Sequence, residues 1–125
     1  MRAARYYDRG DIRIEDIAEP TVGAGEVGID VAWCGICGTD LHEFADGPIF
    51  VPPAGHPHPI SHESAPVTLG HEMSGVVTAL GDGVTDLVVG DHVVVEPYII
   101  GEGVDTGPDS VDYHLSPDMN FIGLG

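Results

Sequence analysis

Lysine is absent from the sequence, and the four basic residues are arginines confined to the first 13 positions. Against them stand 21 acidic residues, so the formal net charge of the 125-residue chain is −17 at pH 7. Such a surface repels phosphates, which argues against a nucleic-acid partner. Because the acidic residues are scattered and form no block, they predict a folded domain whose hydrated surface suits the high salt of a halophilic cytoplasm. A generic acidic surface is the alternative.

Long apolar runs are missing as well. No stretch approaches the roughly 18 consecutive apolar residues of a membrane span, so no membrane partner is expected. The amino-terminal stretch MRAARYYDRGD becomes charged at once and lacks the apolar region of a secretory signal, which predicts a cytoplasmic protein. A length of 125 residues with 42% hydrophobic residues predicts one globular domain over residues 1–125.

Cysteine is scarce: Cys34 and Cys37, in the stretch WCGICGTDLH, are the only two. A structural zinc knuckle would need a second pair of ligands of the same kind. A redox dithiol normally opens a helix within a βαβ pattern, and the sequence shows no such alternation. A third interpretation uses Cys37 with His71 and Glu72 as the mixed ligand set of a catalytic zinc ion. From spacing alone, a buried structural cysteine and an ordinary surface histidine remain equally compatible with these residues.

Two polar side chains follow Cys37 closely. Thr39 and His42 are three positions apart, so they share a face if this segment is helical. A hydroxyl and an imidazole beside an open metal site would form a path for a proton from bound substrate to water. We predict a helical turn or two starting near Thr39, with Thr39 and Asp40 in the place of the N-cap.

The remaining sequence is dominated by a period of two, which predicts a mainly β fold. The stretches DIRIED, EVGIDVAW, MSGVVTALG and DHVVVEP read as short strands separated by turn signals. Strands so short and closely spaced predict a small or partly open β-barrel with short helical turns. Residues 46–68 and 100–118 are expected to be long loops. The final stretch NFIGLG offers no helix or strand to tie it down.

Two further patterns receive weaker interpretations. The stretch GAGEVG, residues 23–28, matches a dinucleotide fingerprint, but it precedes a strand and opens no helix, so a turn is predicted. The loop after residue 46 holds His56, His58 and His62, which could form a histidine-rich metal module.

The motifs CGICGTDLHEF, GHEMSGVV and VVGDHVVVEP together resemble the N-terminal, GroES-like catalytic domain of the zinc-dependent medium-chain alcohol dehydrogenases. The resemblance runs along the whole chain and, within the family, is strongest to 2,3-butanediol dehydrogenases. It implies a zinc-dependent oxidoreductase for a secondary alcohol or ketone such as 2,3-butanediol or acetoin. It also implies that the full-length protein is a homo-oligomer.

The resemblance implies roles for individual residues. Cys37 and His71 would be zinc ligands, and Glu72 an alternative or transient one. Asp40 would accept a hydrogen bond from His71 and fix its tautomer. Thr39 would bond the substrate hydroxyl, and His42 would pass its proton to solvent. Cys34 is expected to be a buried small residue with no metal role, while Gly70 and Gly75 would allow close packing or turns.

Two departures from the family pattern modify these expectations. Many relatives hold a second, structural zinc ion with four cysteines, which are missing after the VEP stretch, so no structural zinc is predicted. The acidic residues there, Asp105, Asp109 and Asp112 with His114, are expected to form a solvated loop in preference to a cation site.

The NAD(P)-binding Rossmann domain and a further carboxylate ligand of the butanediol type would lie beyond residue 125. The chain is therefore expected to be a fragment, inactive alone. The alternative is a non-catalytic GroES-like zinc-binding or remnant domain.

Overall fold

The computed structural model describes residues 1–107, 109–110 and 112–125, and within these ranges it is built mainly of short strands. One α-helix and one 3₁₀ turn, Tyr113–Leu115, accompany them. The elements are β1 (Arg2–Asp8), β2 (Asp11–Asp16), β3 (Val27–Gly35), α1 (Gly38–Asp46), β4 (Val67–Thr68), β5 (Glu72–Leu80), β6 (His92–Val94), β7 (Tyr98–Ile99) and β8 (Asn120–Phe121). The predicted mainly β fold class is confirmed.

The strands form three antiparallel sheets, with the orders β2-β1-β4, β3-β5-β6 and β7-β8. The four strands expected from alternating residues correspond to β2, β3, β5 and β6. Within the described residues these sheets do not close into one continuous barrel, in keeping with the partly open form that was predicted.

Strand β1 was not predicted, because its sequence lacks the period of two. Its buried side chains, Ala3 and Tyr6, are three positions apart, and the pairing with β2 shifts register between Tyr6 and Asp8. Because burial in β1 does not fall on every second residue, its sequence carries no alternation signal.

The expectation that NFIGLG is not tied down was wrong. Asn120 and Phe121 form β8 and pair with β7, and Leu124 is completely buried. The core cluster comprises Tyr6, Val51, Ala65, Val67 and Leu124, with Leu69 and Phe121 packed against it. Because Val51 and Ala65 come from the long loop, that loop is anchored to the core at two points even though it holds neither helix nor strand between residues 47 and 66.

Helix α1 begins slightly earlier than predicted, at Gly38. Its N-cap is Cys37 and not Thr39 or Asp40, and the Cys37 backbone N–H donates to Asp40 Oδ2 at 2.9 Å. Asp40 therefore acts as the N3 carboxylate that stabilises the start of the helix. The helix buries the side chains of Asp40 and Glu43 and exposes much of its opposite face.

The turn predicted at residues 23–28 is confirmed. The GAGEVG stretch forms a turn before β3, in which Gly25 adopts φ +77°. Across the described part of the chain, no helix has the length and apolar character needed to cross a bilayer.

Candidate metal site

Three potential metal ligands converge where β3, α1 and β5 meet. One ligand atom each from Cys37, His71 and Glu72 lies within 4.8 Å of the other two, and no other group of this kind occurs among the described residues. Cys37 follows β3 and caps α1, while His71 immediately precedes β5 and Glu72 begins it. The pairing of Gly35 with Glu72 in the β3–β5 ladder brings these distant parts of the sequence together.

The donor set and its spacing fit a zinc ion. A thiolate, an imidazole and a carboxylate are all zinc ligands, and bond lengths of 2.0–2.3 Å place tetrahedral ligand atoms about 3.5 Å apart. Separations of up to 4.8 Å therefore need only a modest contraction. Cys37 is half-buried, His71 is buried and Glu72 is exposed, so the group has one open side.

Asp40 and His71 face each other beside the ligand group. Asp40 Oδ1 and His71 Nδ1 are 3.6 Å apart, and both atoms are buried without a hydrogen-bond partner. Leaving two facing polar atoms unpaired is costly, and a small contraction would join them. Since Nδ1 faces Asp40, the ring nitrogen left for a metal ion is Nε2.

Thr39 and His42 take different positions on α1. Thr39 is half-buried, with its hydroxyl oxygen 3.6 Å from Cys37 Sγ, at the edge of the ligand group. The His42 side chain is 73% exposed, and its Nδ1 lies 3.9 Å from Asp46 Oδ2. The structure thus puts a hydroxyl beside the ligand group and an imidazole in solvent on the same helix.

Cys34 differs from its expected environment. It is exposed, not buried, and its sulfur lies near Gly70. A Cβ at Gly70 would stand 2.6 Å from Cys34 Sγ, and Gly70 has φ +125°, which L side chains rarely adopt. Residues 30–35 of β3 are all exposed, and Cys34 shares that exposure. Cys34 is also outside the ligand group. At Gly75 a Cβ would collide with the Asp30 backbone, so both glycines serve the close packing that was expected.

The histidine-rich loop does not assemble a second group of ligands within the described residues. His58 Nδ1 instead accepts the backbone N–H groups of Ile60 and Ser61, each at 3.3 Å. The acidic stretch near residue 105 makes local contacts too, since Asp105 Oδ1 accepts the Gly107 N–H at 2.9 Å.

Sequence reasoning missed Glu43, the most deeply buried charged residue of the helix. Its side chain is 0% exposed, and its carboxylate accepts backbone N–H groups of Ile49, Phe50 and Val51. The signal that could have found it is position. Glu43 follows Asp40 by three residues, on the same helical face, and precedes a loop whose N–H groups need acceptors.

Tyr6 of β1 contacts helix α1 at Glu43. Its hydroxyl donates to the Glu43 backbone carbonyl at 3.1 Å. Burial, followed by the nearby Glu43 carboxylate, raises the pKa of Tyr6 to about 12. Tyr6 therefore stays protonated throughout the neutral and mildly alkaline range.

The fold and the ligand group define a GroES-like dehydrogenase domain, and comparison with known proteins agrees. Residues 23–125 match the family model described as the alcohol dehydrogenase GroES-like domain. The chain belongs to the zinc-dependent medium-chain alcohol dehydrogenase family.

Among curated proteins, the (R,R)-butanediol dehydrogenase of Neisseria gonorrhoeae is 74% identical over 125 residues, which cover 100% of this chain and 35% of that protein. The crystal structure of 2R,3R-butanediol dehydrogenase from Bacillus subtilis superposes with a TM-score of 0.89 at 50% identity, covering 98% of this chain and 34% of that one. An Escherichia coli alcohol dehydrogenase in complex with NADH matches at TM-score 0.73 and 28% identity, covering 99% and 32%. The chain thus spans about a third of the length of its relatives.

Proposed function

We propose that this chain is the N-terminal catalytic domain of a zinc-dependent dehydrogenase that interconverts a vicinal secondary alcohol and its ketone, such as 2,3-butanediol and acetoin. The observation that carries the proposal is the convergence of Cys37, His71 and Glu72 within 4.8 Å. The likeness to two butanediol dehydrogenases supports the substrate class.

A zinc ion held by Cys37 and His71, with Glu72 as an alternative or transient ligand, would act as a Lewis acid that lowers the pKa of a bound alcohol. Thr39, beside the ligand group, would accept the proton of the substrate hydroxyl in a hydrogen bond. His42 would exchange that proton with water, because its imidazole is exposed. In this scheme Thr39→Val lowers kcat by about 100-fold while zinc content stays at the wild-type level.

Asp40 would complete the arrangement by accepting a hydrogen bond from His71 Nδ1, which keeps Nε2 free of a proton. Hydride would pass to NAD or NADP bound by a domain outside this chain, as expected for a family in which one relative was solved with NADH. The proposal further includes one catalytic zinc ion without a structural zinc ion, a cytoplasmic homo-oligomer, and an acidic surface adapted to high salt.

The test uses the full-length protein, with 2,3-butanediol and NAD. Wild type is expected to hold zinc and to reduce NAD, while His71→Ala loses both. His92→Ala, which removes an exposed histidine on β6 outside the ligand group, is the matched control and should keep both. A wild-type protein that binds no zinc and turns over no alcohol would instead support a non-catalytic GroES-like domain.

A further inference from the structure

The outer edge of strand β2 is a surface that the proposed function does not use. β2 is the edge strand of the sheet with the order β2-β1-β4, and it pairs with no further strand of the described residues. Its two isoleucines are accessible, since Ile14 is 63% exposed and Ile12 is 37% exposed. An edge strand with free backbone groups is a template for pairing with another strand.

The hydrogen bonds between β1 and β2 fix which residues of β2 point outward. The Met1 amino group donates to the Ile17 carbonyl at 2.8 Å, and the Ile17 N–H donates to the Met1 carbonyl at 2.9 Å. From there the register runs without a shift along residues 2–6 of β1 and 12–16 of β2. Bonded and non-bonded pairs alternate in an antiparallel ladder. The even-numbered residues of β2 therefore present their N–H and C=O groups at the open edge: Ile12, Ile14 and Asp16.

The sequence of β2, DIRIED, is complementary to itself in this geometry. A second copy that runs antiparallel about a two-fold axis through Ile14 places Ile14 opposite its own copy. The outward backbone groups of Ile12 then meet those of Asp16 of the second copy, so the new ladder is regular along the strand. Arg13 faces Glu15 of the second copy on both sides of the axis, in the closer, non-bonded pair positions.

Other registers of the same two strands are disfavoured. Moving the axis to Arg13 or to Glu15 keeps outward groups facing each other, but it sets like charges directly opposite, which is destabilising. Moving it to Ile12 or to Asp16 leaves half of the strand or more without a strand partner. The axis through Ile14 alone combines full pairing with opposite charges.

The Arg13 and Glu15 side chains are already oriented and keep capacity for a further bond. The Arg13 guanidinium lies over the Tyr7 ring at 4.0 Å, and its Nε and Nη2 donate to Asp11, which leaves Nη1 unused among the described residues. The Tyr7 hydroxyl contacts both carboxylate oxygens of Glu15, at 2.9 and 3.0 Å. A carboxylate has about four acceptor sites, so Glu15 can also accept a charge-assisted bond from a guanidinium.

The opposite face of β2 is apolar. Ile12 lines a groove of about 460 Å³ that is also lined by Ile36, Leu41 and Phe44, all of them exposed. Ile14 follows Ile12 on the same face, because side chains two positions apart in a strand point the same way. Two copies joined at Ile14 would therefore form one apolar strip across the axis, with a groove at each end.

We propose that the β2 edge is an interface between two copies of this chain, at which β2 of the second copy adds antiparallel about a two-fold axis through Ile14. The two three-stranded sheets then become one continuous sheet. The inference goes beyond the proposed function, because it gives the proposed homo-oligomer a surface and does not depend on the metal ion. Since each copy carries a net charge of −17, the pair should be tighter at high salt.

Disulfide cross-linking of the full-length protein tests the register. The two Cα atoms at position 14 would be about 5.5 Å apart, which suits a disulfide. Ile14→Cys is therefore expected to give a cross-linked dimer on non-reducing gels after mild oxidation in 2 M KCl. Ile12→Cys, on the same face, is the matched control and should stay uncross-linked, because its two copies would be about 14 Å apart. Wild type, which holds Cys34 and Cys37, reports the background.

Charge exchange tests the pairing of Arg13 with Glu15. Arg13→Glu and Glu15→Arg should each raise the dissociation constant about tenfold, since each sets like charges opposite across the interface. The double variant with both changes should recover wild-type association, because opposite charges face each other again. Arg9→Glu makes the same change of charge in the turn before β2 and should associate like wild type. Sedimentation equilibrium in 2 M KCl gives the constants.

The outcomes separate this interface from the rest of the proposed function. An oligomer that forms without cross-linking in Ile14→Cys would leave the homo-oligomer standing and overturn the interface; a later segment of the full-length chain that covers β2 would give this result. A monomeric wild type would overturn both. Cross-linking in both cysteine variants, or no recovery in the double charge variant, would overturn the register. Should Arg13→Glu fail to fold, the two cysteine variants decide alone.

Discussion

Cys37 and Cys34 are separated by two residues, yet their sulfur atoms have different neighbours. Cys37 lies with His71 and Glu72, whereas Cys34 Sγ lies near Gly70. Only a thiolate that can reach the other ligand atoms can bind their metal ion. The C-x-x-C spacing therefore does not describe a functional pair in this structure.

Replacing each cysteine by serine separates the two environments. Cys37→Ser should weaken zinc binding by more than about 100-fold, because serine offers no thiolate. Loss of a residue that only hydrogen-bonds a metal ligand already weakens binding by up to about 100-fold, and loss of the ligand itself should cost more. Cys34→Ser, the matched control, should retain one zinc ion per chain. Zinc is measured by atomic emission on the full-length protein. Equal zinc contents in the two variants would contradict the ligand assignment.

At the scale of elements, the backbone conformation of the turn before β5 depends on Gly70. Its φ of +125° disfavours any L side chain, and a Cβ would also crowd Cys34 Sγ at 2.6 Å. At Gly10, where φ is +72°, an added Cβ would meet nothing within 4 Å, so a side chain there would bring backbone strain without a clash. The two glycines form a natural comparison between strain alone and strain with crowding.

Gly70→Ala is expected to lower the free energy of unfolding by about 3 kcal/mol, the upper range for a strained residue. Gly10→Ala should lower it by about 1 kcal/mol. Adding Cys34→Ala to Gly70→Ala should recover part of the loss, because the crowding sulfur is then removed. Urea denaturation of the purified domain measures all three. No recovery in the double variant would mean that backbone strain alone accounts for the cost.

The stability of the fold depends on pH in the alkaline range because of Tyr6 in β1. Its pKa is about 12 when folded and 10.0 in an ordinary environment, so the folded state favours the protonated hydroxyl. The contribution of Tyr6 to stability is full below pH 10 and is lost as pH rises towards 12. Tyr6→Phe should be less stable at pH 8, through the lost hydrogen bond to Glu43, but its stability should fall less steeply between pH 10 and 12. Denaturation midpoints across this range measure the slopes, and parallel slopes would contradict the assignment.

At the scale of the whole molecule, a net charge of −17 acts on every conformation but most strongly on the compact one. The arginines offset little of this repulsion among the carboxylates. Arg13 pairs with Asp11 at the surface, and Arg5 donates hydrogen bonds to neutral groups, the Thr68 hydroxyl and the Pro66 carbonyl. Salt screens this repulsion, because the Debye length falls from about 10 Å at 0.1 M to about 3 Å at 1 M.

The domain should therefore gain stability as KCl rises from 0.1 to 2 M. Thermal unfolding across this series gives the measurement. A variant with several scattered surface carboxylates changed to amides, such as Asp86→Asn with Asp82→Asn and Glu102→Gln, should show a smaller gain. A salt response identical in both proteins would show that screening of net charge is not the cause.

The sequence by itself determined the local features: four alternating strands, the turn at GAGEVG, and the residue types around Cys37 that resemble a zinc dehydrogenase. These depend on periodicity and motif spacing, which are properties of neighbouring residues. Only the tertiary structure decided which side chains meet. The β3–β5 register set Cys37 beside His71 and Glu72, and the two-residue β8 placed Leu124 in the core. The sequence marks Glu43 only by its position on the helix, because its partners are backbone N–H groups that only the folded loop brings within reach.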